Sequence, residues 1–93
     1  MLSQIPIDLS KVKKENLNKE ILRAGLIAEL DAINLYEQLA ALADDDIIKE
    51  VILDIAREEK THVGEFQTLL LREDSEQVEE LENGKKEVEE EMK

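Results

Sequence analysis

Two apolar stripes at helical spacing, parted only by Asp44, Asp45 and Asp46, leave this chain few ways to fold. Leu22, Leu26, Glu29, Ile33, Tyr36 and Ala40 recur at steps of three and four, which puts them on one face of a helix starting near Glu15. Val51 or Ile52, Ile55, Glu59, His62, Phe66 and Leu69 or Leu70 repeat the pattern in a second helix from about Asp46 to Arg72. Aspartates suit a tight turn and a helix N-terminus, and so short a connection makes the two helices antiparallel neighbours. The spacing predicts an all-α fold built on a two-helix hairpin over residues 14–72.

The flanks are thinner. Residues 1–13 carry the only proline and no sustained period, and are expected to form an arm. Asp74 and Ser75 are N-cap candidates for a short C-terminal helical segment in 73–93, where Val78 and Leu81 give a narrow apolar edge. Asn83 and Gly84 are expected to break that helix, leaving 85–93 as a further short helix or a frayed end. This segment holds ten acidic and three basic residues, so it carries seven of the twelve net negative charges, a pattern that normally means a solvated face.

Charge and composition exclude several functions. A net charge of -12 argues against nucleic acid, whose phosphates need clustered Lys and Arg. The absence of cysteine excludes disulfides, zinc-thiolate sites and Fe–S clusters. No apolar run is long enough for a membrane span or a signal peptide, so a cytoplasmic protein with no membrane partner is expected.

Two glutamates stand out because they interrupt the stripes. Glu20, Glu37, Glu50, Glu58 and Glu65 can point outward or to a stripe's edge, but Glu29 lies one turn from Leu26 and Ile33, and Glu59 one turn from Ile55 and His62. Burying an unpaired carboxylate costs several kcal/mol, so such positions call for a partner cation, a protonated acid or a metal. Glutamate is common enough here that Glu-x-x-His alone says little, and a lone helical histidine is more often a surface or core residue. Its place in the stripe is what matters. At i and i+3, Glu59 and His62 can reach the same ion, and carboxylate with imidazole suits iron, manganese or zinc.

In di-iron carboxylate bundles two helices each give one Glu and two others each give Glu-x-x-His. This chain supplies half of that set: Glu29 on one helix, Glu59 and His62 on the other. Two copies around a two-fold axis would complete both a four-helix bundle and the ligand set. Tyr36, two turns after Glu29 on the same face, could hydrogen-bond a ligand or bound water; an aromatic there is as readily core.

The segments AELDAINLYEQLA (28–40) and DIAREEKTHVGEF (54–66) resemble the encapsulated ferritin family, rubrerythrin-related proteins that are cargo of, or fused to, encapsulin shells. The likeness covers about Asn18 to Arg72 and continues more loosely beyond. It implies a ferritin-like four-helix bundle made by dimerisation, and a ring of such dimers with the C-terminal helix aiding contacts. It also implies a ferroxidase centre holding two irons per subunit pair, with Glu29, Glu59 and His62 as ligands and Tyr36 beside them. Two positions depart from some members: Ala28 stands where an extra carboxylate can precede the first ligand, and Leu35 where an aromatic can precede the tyrosine. Asp31 is then the carboxylate left to guide iron inward. EVEEEMK lacks the Gly-containing apolar tail that docks separate cargo to the shell, so the resemblance implies either fusion to a shell protein or another means of loading. The expected function is oxidation of Fe(II) by dioxygen, feeding iron storage in a cytoplasmic encapsulin compartment. The alternatives are a structural or metal-binding helical oligomer without turnover, and a rubrerythrin-like peroxidase using the same centre.

Overall fold

The computed structural model describes residues 8–92; the first seven residues, most of the expected arm, lie outside the described residues. Residues 8 to 13 hold a 3₁₀ turn, Leu9–Lys11, in which the Asp8 carboxylate accepts from the Ser10 backbone N–H. A second turn, Lys14–Asn16, leads directly into helix α1, Leu17–Leu42. Helix α2 spans Asp46–Glu73 and helix α3 spans Ser75–Glu91. There is no strand among the described residues, and α1 and α2 form the expected antiparallel hairpin.

Local chemistry explains the corners. The backbone at Ala43 turns extended while its N–H still reaches back to Leu39 O at 3.1 Å, which closes α1. Asp45 then caps α2, its Oδ1 accepting from Ile47 N at 2.9 Å and Ile48 N at 3.0 Å. Of the three aspartates, Asp44 and Asp45 make the turn and Asp46 opens the next helix, where its charge favours the N-terminal dipole.

The interface between α1 and α2 resolves the choices the stripe left open. Ile33, Ala40, Ala56 and Leu70 are buried, and Leu22, Leu26, Glu29 and Tyr36 are half-buried. Leu70 and Ile52 turn toward α1, whereas Leu69 and Val51 are exposed. These four buried apolar residues stand against fourteen exposed large apolar ones among the described residues, far too small a core for a self-sufficient domain.

Helix α3 departs from expectation, because it runs unbroken through Asn83 and Gly84. An interior glycine costs a helix only about 1 kcal/mol. Asn83 does not compete for the backbone either, since its Nδ2 donates to Glu80 Oε1 one turn back at 3.1 Å.

Only Asp74 separates α2 from α3. Its Oδ1 accepts from Gln77 N at 3.0 Å and caps α3, while Oδ2 receives Arg23 Nη2 of α1 at 2.9 Å. The Gln77 N–H holds its carboxyl below the ordinary value of 3.8, helped by Arg23, against an upward push from burial. Beyond this anchor α3 leaves the hairpin. The radius of gyration is 16.6 Å, where a compact chain of this length would have about 12 Å.

Candidate metal centre

Midway along the hairpin the interruptions in the two stripes meet. Glu29 comes from α1, and Glu59 and His62 from successive turns of α2. One ligand atom from each lies within 4.8 Å of the others. His62 Nδ1 stands 3.3 Å from Glu59 Oε2 and 3.5 Å from Glu29 Oε2. The first is a long hydrogen bond and the second is too long to satisfy its acceptor. Glu29 Oε2 is accordingly buried with no hydrogen-bond partner.

The group is covered on the hairpin side and open on the other. The side chains of Glu29 and Glu59 are 19% and 18% exposed, while that of His62 is 45% exposed. An open cleft of about 330 Å³, lined by Glu29, His62, Glu65, Phe66 and Leu69, leads to it. His62 stands in an exposed apolar line with Val51 and Leu69, at spacings of eleven and seven residues that return to nearly the same side of α2. Ile21, Ala32 and Leu39 repeat those spacings on α1, with Ile21 and Leu39 exposed.

Two carboxylates and an imidazole converging on one point form a donor set suited to a divalent metal of the iron, manganese or zinc kind. A buried carboxylate oxygen lacking a donor is what such a cation would satisfy. The donor set therefore fits a metal, and three protein ligands leave coordination positions free.

Tyr36 and Asp31 are not drawn into the group. Tyr36 is half-buried on α1 and makes no hydrogen bond to Glu29, Glu59 or His62 among the described residues. Asp31 follows Glu29 by two residues, roughly 200° around the helix, and is not one of the clustered ligands. Glu65, read as an outward or edge residue, is exposed at the cleft mouth.

Sequence reasoning missed two features that shape this region. One is the Arg23 to Asp74 ion pair across 51 residues, for which no local pattern exists. The other is Gly25, whose backbone lies against the Phe66 ring; an isolated glycine inside a helical stripe was the available signal.

Comparison with known proteins accords with this architecture. A family model described as Rubrerythrin matches residues 20–93. A ferritin-like-encapsulin shell fusion protein from Pyrococcus furiosus is 55% identical over 97% of this chain, which spans only 27% of that relative's length. The crystal structure of an encapsulated ferritin domain from Pyrococcus furiosus superposes with a TM-score of 0.83 at 52% identity, covering 97% of this chain and 94% of that one. The family match over α1, α2 and α3, with the likeness in fold and sequence to an encapsulated ferritin domain, establishes that the chain belongs to the rubrerythrin family, in its encapsulated ferritin branch.

Proposed function

We propose that this protein is a ferroxidase whose di-iron site is assembled from two protomers. The convergence of Glu29, Glu59 and His62 around an unsatisfied carboxylate oxygen carries this reading. One protomer supplies half of the Glu plus Glu-x-x-His set of di-iron bundles, and a two-fold axis over the exposed line of His62 supplies the rest. The same axis covers Val51, Leu69, Ile21 and Leu39, so completing the core and completing the site are one event.

Iron is the substrate. Two ferrous ions would bind between the protomers, held by Glu29, Glu59 and His62 of each. Each ion gives one electron and leaves as ferric product, while dioxygen takes the two electrons with two protons from water and leaves as hydrogen peroxide. Carboxylates suit this work because they shift between bridging and terminal binding as the charge on iron changes. Tyr36 and Asp31 enter the same proposal, the first as a neighbour of the ligands and the second as a carboxylate guiding iron inward.

Since the similar Pyrococcus furiosus protein is a fusion of a ferritin-like part with an encapsulin shell, we place this chain in a cytoplasmic encapsulin compartment. It is either fused to the shell or carried separately, and it feeds ferric iron to a store that two helices could not enclose. Contacts through α3 extend the dimers into a ring. No described helix is long and apolar enough to cross a membrane.

Anaerobic Fe(II) titration followed by air tests the proposal, read by ferric absorbance and native mass on wild type and Glu29→Ala. Two irons per dimer with rapid oxidation, lost in the variant, is the expected result. Oxidation no faster than buffer from a dimeric protein overturns it and leaves a structural metal or hydrogen-bond network. A rubrerythrin-like peroxidase using the same centre is the second reading, which faster consumption of hydrogen peroxide than of dioxygen would support.

A further inference from the structure

We propose that Gly25 and Phe66 are positioning residues that hold the two helices at the separation the metal ligands require; the inference rests on the metal-binding reading of Glu29, Glu59 and His62. Gly25 precedes Glu29 by four residues on α1, and Phe66 follows His62 by four on α2. Each is therefore about 6 Å, one turn, from a ligand, and the antiparallel register that sets Glu29 against His62 also sets Gly25 against Phe66.

The contact leaves no room for a side chain. A Cβ added at Gly25 would lie 2.7 Å from Phe66 Cδ1, 2.8 Å from Cζ and closer still to Cε1. Real carbon atoms do not approach so closely, so either the ring or the helices must move. A displaced ring shifts the wall of the cleft that it lines together with Glu29 and His62. Movement of the helices instead parts Glu29 from His62, which now stand 3.5 Å apart. Both escapes disturb the ligands.

Phe66, with Leu69, also makes the apolar wall of the cleft that Glu29 lines. An apolar wall there lowers the local dielectric and strengthens the carboxylate's attraction for a cation. Unlike Gly64 and Gly84, which have open space where a Cβ would go, Gly25 lies where the aromatic ring leaves no room for one.

The test is Co(II) binding, followed by visible absorbance, to the 93-residue wild type, Gly25→Ala, Phe66→Leu and the double variant. Metal-free helicity and native mass are measured alongside. Disturbing groups that orient metal ligands typically lowers affinity about 10- to 100-fold, and Gly25→Ala should fall in that range with helicity and mass unchanged. Phe66→Leu should bind several-fold more weakly than wild type. In the Phe66→Leu background, Gly25→Ala should cost nothing more, because leucine frees the space that the ring occupied.

Equal loss from Gly25→Ala in both backgrounds, or no loss in either, overturns the proposal. If Gly25→Ala does not fold, Phe66→Leu decides alone, and unchanged Co(II) affinity there overturns it. Failure of wild type to bind Co(II) would instead sink the metal reading itself, so the two failures are told apart.

Discussion

Exchanging Glu29 for glutamine should stabilise the metal-free protein and deny it the stability that metal confers. Oε2 of Glu29 is shut from solvent with no donor near enough to serve it. An unsatisfied buried acceptor costs about 1–3 kcal/mol. The side chain as a whole is 19% exposed, so the lower end applies, about 1 kcal/mol. Glutamine keeps the shape and brings an amide donor toward Glu59 and His62, with one negative charge fewer. In a domain of this size, about 1 kcal/mol corresponds to a rise of roughly 4–8 °C in Tm. With Co(II) at about 100 times its Kd the wild type gains about 2.7 kcal/mol, and the order of the two proteins inverts. The assay is thermal unfolding with a chelator and with Co(II), at one fixed protomer concentration because the proposed association of protomers would add its own dependence. A metal-free midpoint for Glu29→Gln at or below that of wild type would refute the view of Glu29 as an acceptor reserved for a cation.

Two other outcomes follow from the geometry. Because the folded carboxyl of Asp74 titrates below 3.8, its contribution is fully present above that pH and is lost as pH falls through the folded value. A spectroscopic distance between the α1 and α3 ends should change in that acid range for wild type and lose this transition in Asp74→Ala; equal acid responses in both would remove Asp74 as the anchor. Val51→Arg places a charge in the exposed apolar line that also holds His62, and should reduce the native mass to one chain while the hairpin stays helical. An unchanged mass would show that protomers meet elsewhere.

The parts legible in the sequence were those fixed by neighbours a turn or two away. The two stripes, the aspartate turn, the Asp45 region as a cap and the grouping of Glu29 with Glu59 and His62 all follow from helical period and short connection. Period alone could not choose between Val51 and Ile52 or between Leu69 and Leu70, because adjacent residues differ by only 100° and the facing helix decides which is covered. The break expected at Asn83 and Gly84 failed for the opposite reason: local propensity against a helix was outweighed by satisfied side chains within it. The close approach of Gly25 to Phe66 and the pairing of Arg23 with Asp74 depend on residues far apart in the chain, so no window along the sequence contains them.

The single-residue joint at Asp74 makes α3 a lever. Its 17 residues extend about 25 Å, so a turn of about 10° at the joint carries the far tip through about 4 Å. That displacement is comparable to the gap between interlocking and clashing side chains. The reach and aim of the acidic tip are thus set at its base, where Asp74 meets one cationic side chain and one backbone N–H. Substitutions around Arg23, distant from the tip, will read out as changes in where that tip lands.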